Sequence, residues 1–269
     1  MRVAALQMVS GTEVAANLER AAQLIAEAAR AGAQLVALPE NFAIMPRGDA
    51  DRTAATETPG RGPVQSFLAA QANQHGLWLV GGTVPLWNAD GTKARSACLL
   101  FDPAGALAAR YDKMHLFDVK LPGGEAYEES RNFEAGTDVV VADTSLGPIG
   151  LAICYDLRFP ELFRRMSERG ARLFIVPSAF TAQTGRAHWE ILVRARAVEN
   201  TAFVIAPDQG GQHDNGRATH GDTMVVDSWG EVQARRAQGA GVVLADFDAA
   251  HLDNVRAALP SLTHRKLSA

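Results

Sequence analysis

Three residues with reactive side chains each lie where a predicted strand ends. Cys154 follows the apolar run 149–153, and Glu40 follows the apolar run 35–38. Lys113 follows the second arm of a predicted hairpin. A thiol can attack a carbonyl carbon, a carboxylate can accept the thiol proton, and a lysine cation can favour the thiolate. Brought together, these three groups could catalyse acyl transfer or hydrolysis without a histidine.

Each of the three residues also has a purely structural interpretation. Cys154 could be a buried structural cysteine, because free cysteine is among the most buried residue types. Glu40 could cap a helix or loop, and Lys113 could lie along the hairpin surface. Four histidines could also activate a thiol, and the sequence places none of them beside Cys154: His115, His188, His213 and His220. The occurrence of all three reactive residues at strand ends favours catalysis.

The elements that would position these residues alternate between strands and helices. Apolar runs and turn residues predict strands at 3–8, 35–38, 77–84, 96–101, 107–111, 139–141, 149–153, 173–176, 202–206, 223–227, 232–235 and 242–247. Helical periodicity predicts helices that start at Asn17, Pro63, Pro160, Ala187 and Ala249. Residues 121–136 read as a long loop, and loops of that length inside a compact domain are usually functional. The pattern predicts an α/β fold.

Composition narrows the class of protein. The chain has 269 residues, 26 basic and 30 acidic, and neither sign forms runs that would indicate nucleic acid or an anionic membrane as a partner. With no Pro/Gly/Ser-rich linker, residues 1–269 are predicted to form one domain. The N-terminus has no signal-peptide pattern and no segment has 18 consecutive apolar residues, which predicts a soluble cytoplasmic protein.

Cofactor and metal motifs are not found in the sequence. The chain has only two cysteines, and its histidines lack the H-E-x-x-H spacing of a zinc site. The glycine-rich nucleotide motifs and the G-x-S-x-G elbow are also missing. We therefore expect no metal and no cofactor. Cys98 alternates within a predicted strand and is expected in the core, whereas His213 and His220 lie in a polar, glycine-rich segment and are expected to be solvated.

Three ordered motifs resemble the nitrilase superfamily of carbon–nitrogen hydrolases, and the resemblance extends over essentially the whole chain. The motifs are residues 38–41 (LPEN), 111–116 (YDKMHL) and 150–161 (GLAICYDLRFPE). The resemblance implies an α-β-β-α sandwich of two stacked mixed sheets with helices on both outer faces. It also implies a homodimer or larger homo-oligomer that associates through the helix after the nucleophile and the helix that carries Arg194 and Arg196.

The same resemblance implies roles for individual residues. Glu40 is the general base, Cys154 is the nucleophile, and Lys113 with the backbone N–H of Tyr155 stabilises the oxyanion. The additional glutamate of the family corresponds to Glu129, although the adjacent Glu128 leaves that assignment open by one position.

The predicted substrate-binding residues are Arg158, Phe180 and His188. Arg158 is positioned to bind a substrate carboxylate, but it could equally pair with Glu161 at the start of its helix. His188 could instead pack or cap at the start of the helix predicted from Ala187.

The later motifs narrow the predicted reaction. Residues 177–180 (PSAF), 185–190 (GRAHWE) and 194–200 (RARAVEN) resemble the Nit branch of amidases, and residues 209–213 and 259–265 resemble the branch members that act on deaminated glutathione. The resemblance implies hydrolysis of the terminal amide of a small ω-amido acid through a cysteine thioester, giving 2-oxoglutarate and cysteinylglycine. A second possibility is an ω-amidase acting on 2-oxoglutaramate, and a third is a nitrilase or N-carbamoyl amino acid hydrolase. An interaction protein that has lost turnover is a fourth, from a different class.

Overall fold

The computed structural model describes residues 1–122 and 124–267 and contains a mixture of strands and helices. The strands are β1 Arg2–Gln7, β2 Leu35–Ala37, β3 Trp78–Val80, β4 Val84–Trp87, β5 Ala94–Phe101, β6 Leu107–Asp112, β7 Asp118–Lys120, β8 Ala126–Glu128, β9 Val141–Ala142, β10 Ile149–Leu151, β11 Leu173–Ile175, β12 Phe203–Ala206, β13 Thr223–Val226, β14 Val232–Arg236 and β15 Gly241–Asp246. The α-helices are α1 Val14–Arg30, α2 Asp49–Ala54, α3 Pro63–His75, α4 Pro160–Glu168, α5 Ala182–Asn200 and α6 Ala249–Ala258. Two short 3-10 helices span Glu129–Arg131 and Cys154–Arg158.

Two mixed sheets contain most of the strands. The first has the order β15-β1-β2-β3-β5-β4, with β6 pairing on β5, and the second has the order β14-β13-β12-β11-β10-β9. In the first sheet β1, β2 and β3 are parallel, and in the second β10, β11 and β12 are parallel. Ligand sites of such sheets form outside the carboxyl ends of the parallel strands, and Glu40 and Cys154 follow β2 and β10 there.

The two sheets pack face to face with helices on their outer surfaces. In β1, Val3 and Ala5 belong to the core that joins the two sheets, whereas Ala4 and Leu6 pack against α1 and α3. This alternation is the two-residue period of a strand that is buried on both faces. On the second sheet, the ring of Phe163 in α4 lies 5.3 Å from that of Phe174 in β11. The predicted α-β-β-α sandwich is confirmed.

Two predicted helix starts were wrong. The helix predicted from Ala187 begins at Ala182, because the hydroxyl of Thr181 accepts the N–H of Thr184 and caps it. The helix expected to be capped by Asn17 begins at Val14. The buried Asn17 side chain instead donates to the carbonyl oxygens of Gly11 and Ala43, so it fastens the loop before the helix.

The strand predicted over 77–84 is divided into β3 and β4 by Gly81 and Gly82. Gly82 has a φ of +53°, and a Cβ on it would lie 2.1 Å from the carbonyl oxygen of Pro39. The chain therefore needs glycine here to pass the segment that carries Glu40.

The predicted loop 121–136 also contains structure: β8 pairs with β7, and the helix Glu129–Arg131 follows. Gly123 in this loop lies outside the described residues. The short helix α2 was not predicted. Within residues 1–122 and 124–267, no helix combines the length and the apolar character needed to cross a bilayer.

Candidate active site

A cavity of about 270 Å³ lies where the ends of the two sheets meet. Its lining includes Glu40, Lys113, Glu129 and Cys154, so the four predicted catalytic side chains share one cavity. Glu40, Lys113 and Cys154 are 5%, 2% and 9% exposed. The reactive groups are therefore almost fully removed from solvent.

Lys113 lies between two carboxylates. Its Nζ donates to Oε1 of Glu40 at 2.9 Å and to both carboxylate oxygens of Glu129 at 2.9 and 3.1 Å. Burial by itself lowers the pKa of Lys113. The negative charges of Glu129 and Glu40 together have the larger effect and hold that pKa well above its usual value. The two carboxylates therefore favour the charged form of Lys113.

Glu129, rather than Glu128, is the carboxylate that contacts Lys113. Its Oε2 also accepts the backbone N–H of Phe117 at 2.6 Å, which fixes the side chain from the far side. Glu128 ends β8 and lines the cavity, and Glu129 begins the 3-10 helix. Because the backbone changes from strand to helix between them, the side chains of these two neighbouring glutamates point in different directions.

Cys154 lies at a strained turn between β10 and the 3-10 helix. Its φ is +45°, in the left-handed region that non-glycine residues rarely adopt, and its N–H donates to the carbonyl of Pro177 at 2.9 Å. Asn41, immediately after Glu40, is also in this region at φ +56°. Such strain commonly accompanies functional side chains.

The thiol of Cys154 is neutral in the resting site. Burial raises its pKa well above the usual value, the carboxylate of Glu40 raises it further, and Lys113 lowers it by less. The sequence-based expectation that Lys113 would favour the thiolate is therefore outweighed by burial. A thiol in this state would have to lose its proton to a base before its sulfur could act as a nucleophile.

Asp156 joins the segment carrying Lys113 to the turn carrying Cys154, and the sequence analysis missed it. Its Oδ2 accepts the Tyr111 hydroxyl at 2.7 Å and the N–H of Ile153 at 2.8 Å. Its Oδ1 lies 2.7 Å from Nδ1 of His115. A carboxylate two residues after Cys154, just past the apolar run 149–153, was the signal that could have found it.

Gln209 supports Glu40 from the second sheet and was also missed as a positioning residue. Its Nε2 donates to the backbone carbonyl of Glu40 at 3.0 Å and to the hydroxyl of Ser10 at 2.8 Å. Close by, His213 is 3% exposed, with Nδ1 2.8 Å from the Ser10 carbonyl and Nε2 2.8 Å from the Thr219 hydroxyl. The prediction that His213 is solvated was therefore wrong.

The three predicted substrate-binding residues lie next to one another, but only two line the cavity. Arg158 and Phe180 are in the lining, and the Arg158 guanidinium carbon lies 5.5 Å from the centroid of the Phe180 ring. His188 is exposed in the second turn of α5, where its Nδ1 lies 3.2 Å from Nη1 of Arg158. In the described chain Arg158 forms no ion pair with Glu161, the alternative that the sequence left open. Cys98 is fully buried, as the sequence predicted.

The lining does not contain a ligand set for a metal. Among the side chains of residues 1–122 and 124–267, no group of three or more His, Cys, Asp and Glu is close enough together to hold an ion.

The backbone N–H of Tyr155 follows Cys154 in the first turn of the 3-10 helix, where N–H groups lack partners within the helix.

Comparison with known proteins places the chain among enzymes that act on carbon–nitrogen bonds. The pattern of the carbon–nitrogen hydrolase family matches residues 2–257. The chain is 43% identical over 265 residues to deaminated glutathione amidase of Synechocystis sp., with 97% of each protein covered.

Solved structures are similar over nearly the whole chain. Saccharomyces cerevisiae Nit3, described as a member of branch 10 of the nitrilase superfamily, has a TM-score of 0.89 at 30% identity, covering 99% of this chain and 97% of that one. An amidase from Nesterenkonia sp. AN1, in a mutant with acrylamide added to its active-site cysteine, has a TM-score of 0.80 at 27% identity, covering 97% and 98%.

Proposed function

The chain belongs to the carbon–nitrogen hydrolase family and is a hydrolase of amides, and we propose that its substrate is deaminated glutathione. The products are 2-oxoglutarate and cysteinylglycine. The 43% identity to a deaminated glutathione amidase supports this substrate. The observation that carries the proposed chemistry is the Lys113 cation held between Glu40 and Glu129 in the cavity that Cys154 lines.

The reaction begins with attack by Cys154 on the carbonyl carbon of the scissile amide. Lys113 donates to Oε1 of Glu40, and the other oxygen of that carboxylate accepts no hydrogen bond from the described residues, so it can take the thiol proton. The sulfur–carbon bond forms as Glu40 takes the proton, and the carbonyl oxygen becomes an oxyanion. The high pKa of Cys154 makes this coupled proton transfer necessary.

The oxyanion is stabilised by the Lys113 ammonium and the backbone N–H of Tyr155. A preorganised cation in a nearly dry site stabilises developing charge more than one in water. Glu129 keeps the ammonium oriented through its two hydrogen bonds of 2.9 and 3.1 Å.

The intermediate then collapses to a thioester. The carbon–nitrogen bond breaks, Glu40 returns its proton to the nitrogen, and cysteinylglycine leaves as the amine. Water attacks the thioester as Glu40 accepts its proton, and the proton returns to sulfur when the carbon–sulfur bond breaks. One carboxylate thus serves as base and acid in both halves of a ping-pong reaction.

The substrate is tested by measuring 2-oxoglutarate released from deaminated glutathione and from 2-oxoglutaramate by the purified protein. We expect the higher kcat/KM with deaminated glutathione. Efficient hydrolysis of 2-oxoglutaramate without release from deaminated glutathione would show an ω-amidase instead. Simple nitriles and N-carbamoyl amino acids in the same panel test for nitrilase and N-carbamoyl hydrolase activity.

The mechanism is tested by alkylating the thiols with acrylamide and locating the adduct by mass spectrometry. Cys154 should react and the fully buried Cys98 should not. Replacing the base by Glu40→Gln should slow labelling of Cys154, and equal rates in the two proteins would contradict base activation. Cys154→Ser should accumulate no acyl-enzyme, whereas the wild-type protein quenched during turnover should carry a 2-oxoglutaryl group on Cys154.

A further inference from the structure

Three aromatic rings form an arc along the cavity, and an arginine lies at each end. The rings of Tyr155 and Phe117 have centroids 5.0 Å apart, and those of Phe117 and Tyr127 are 5.1 Å apart. The Arg158 guanidinium carbon lies 5.7 Å from the Tyr155 centroid, and that of Arg217 lies 5.4 Å from the Tyr127 centroid. All five residues line the cavity.

The segment Ala179 to Phe180 connects the two arginines on the other side of the cavity. Arg158 lies over the Phe180 ring, and Nη2 of Arg217 donates to the Ala179 carbonyl at 3.0 Å. The contacts therefore close into a circuit around the cavity. Both arginines are half-buried, and Lys113 is almost fully buried, so the circuit lies nearer to solvent than the reacting groups.

Neither arginine forms a direct ion pair with a carboxylate within the described residues, although Arg217 interacts through charge with the buried Asp208 carboxyl. Arg158 contacts the His188 ring, while Arg217 contacts the Ala179 carbonyl and the sulfur of Met45. Nε of Arg217 is buried with no hydrogen-bond partner in that part of the chain. Arg52 differs, because it also lines the cavity but pairs with Asp49 at 3.0 Å.

An unpaired, partly dehydrated guanidinium is a strong site for a carboxylate, because it offers paired N–H donors as well as charge. Burying such a cation without a partner is costly, and a ligand carboxylate would remove that cost. Two such cations on opposite ends of one arc fit an extended ligand with a carboxylate at each end.

We propose that Arg217 binds the glycine carboxylate of the cysteinylglycine part of the substrate, while Arg158 binds the carboxylate of the 2-oxo acid part. This assignment rests on the proposed function, since deaminated glutathione has both carboxylates and 2-oxoglutaramate has only the second. Arg217 therefore determines the preference for the dipeptide amide over the short amide, and the aromatic arc lies along the substrate between them.

The experiment compares deaminated glutathione with the same compound carrying a carboxamide in place of the glycine carboxylate. In the wild-type protein we expect this replacement to raise KM by about 10- to 100-fold, the effect of losing a charge-assisted hydrogen-bond pair. In Arg217→Gln the two compounds should have nearly equal KM values. Arg217→Lys keeps the charge without the paired geometry and should give an intermediate ratio.

Two controls accompany the comparison. Arg47→Gln removes a nearby arginine that is not in the cavity lining and should leave the KM ratio as in the wild type. Hydrolysis of 2-oxoglutaramate by Arg217→Gln shows that this variant is folded. The second variant, Arg158→Gln, should have a raised KM for 2-oxoglutaramate.

The outcomes separate this inference from the proposed function. Release of no 2-oxoglutarate from deaminated glutathione by the wild type would overturn the proposed function, and this assignment with it. A wild type that cleaves deaminated glutathione but is insensitive to the carboxamide, or an Arg217→Gln variant that keeps the wild-type ratio, would overturn the assignment alone.

Discussion

The hydroxyl of Tyr111 donates a 2.7 Å hydrogen bond to the buried carboxylate of Asp156. Tyr111 lies in β6, two residues before Lys113, and Asp156 lies two residues after Cys154. This one bond therefore joins the strand that precedes Lys113 to the turn that carries Cys154. Because both partners are buried, the bond contributes to stability as well as to the relative position of the two reactive groups.

Tyr111→Phe should lower both stability and activity. Removing a hydrogen bond to a buried carboxylate costs about 1.5–3 kcal/mol of unfolding free energy. We expect kcat to fall as well, because Lys113 loses an anchor to the Cys154 turn. Urea unfolding and steady-state kinetics measure the two effects. Ser145→Ala, which removes the acceptor of the Trp78 indole N–H outside the cavity, should lower stability without lowering kcat.

Glu129→Gln should lower kcat by about 10- to 100-fold, the rate equivalent of one charged hydrogen bond. The neutral amide keeps the size of the side chain but no longer orients the Lys113 ammonium through charge. Glu128→Gln is the matched variant, because Glu128 precedes Glu129 directly and makes no contact with Lys113. A larger loss of kcat in Glu128→Gln than in Glu129→Gln would contradict the role of Glu129.

Gly82→Ala should shift the segment that carries Glu40. The new Cβ would lie 2.1 Å from the Pro39 carbonyl oxygen, at a residue whose φ is also positive. Gly91→Ala has the same positive-φ strain, about 1–2 kcal/mol, but its Cβ meets no atom within 4 Å. We expect a greater loss of stability and kcat in Gly82→Ala than in Gly91→Ala. Equal losses would show that only backbone strain matters.

Asp208 should make stability depend on pH. Its carboxyl is fully buried, Oδ2 has no hydrogen-bond partner in the described structure, and burial raises its pKa well above the usual value. The unfolded chain releases this proton above about pH 4, while the folded protein keeps it. The stability from this group is thus complete below about pH 4 and is lost as pH rises toward the folded pKa.

Asp208→Asn removes that titration while its Oδ1 can still accept the N–H of Phe180. As the pH rises from about 4 toward the folded pKa, the wild type loses stability through Asp208 and the variant does not. We therefore expect the free energy of unfolding of Asp208→Asn, minus that of the wild type, to increase by up to about 1.4 kcal/mol per pH unit. Urea unfolding across this range measures it. A difference between the two proteins that does not vary with pH would contradict the prediction.

The sequence by itself predicted the α/β class of the fold and several of the residues that line the site. Apolar runs identify the strands β2 and β10, and reactive residues directly after them lie at the carboxyl edge of a parallel sheet by geometry alone. Glu40 and Cys154 could therefore each be placed beyond the carboxyl end of a strand, β2 of the first sheet and β10 of the second, and the motif around Lys113 completed the set. Local patterns are sufficient here because strand alternation and turn chemistry act over a few residues.

Only the tertiary structure decided which groups touch and how they ionise. Glu129 rather than Glu128 contacts Lys113 because β8 ends between them, and Gln209 holds the Glu40 carbonyl from 169 residues away. The neutral state of the Cys154 thiol follows from its burial, which outweighs the nearby cation. Such contacts and dehydration arise from the stacking of the two sheets, and no local sequence pattern encodes that arrangement.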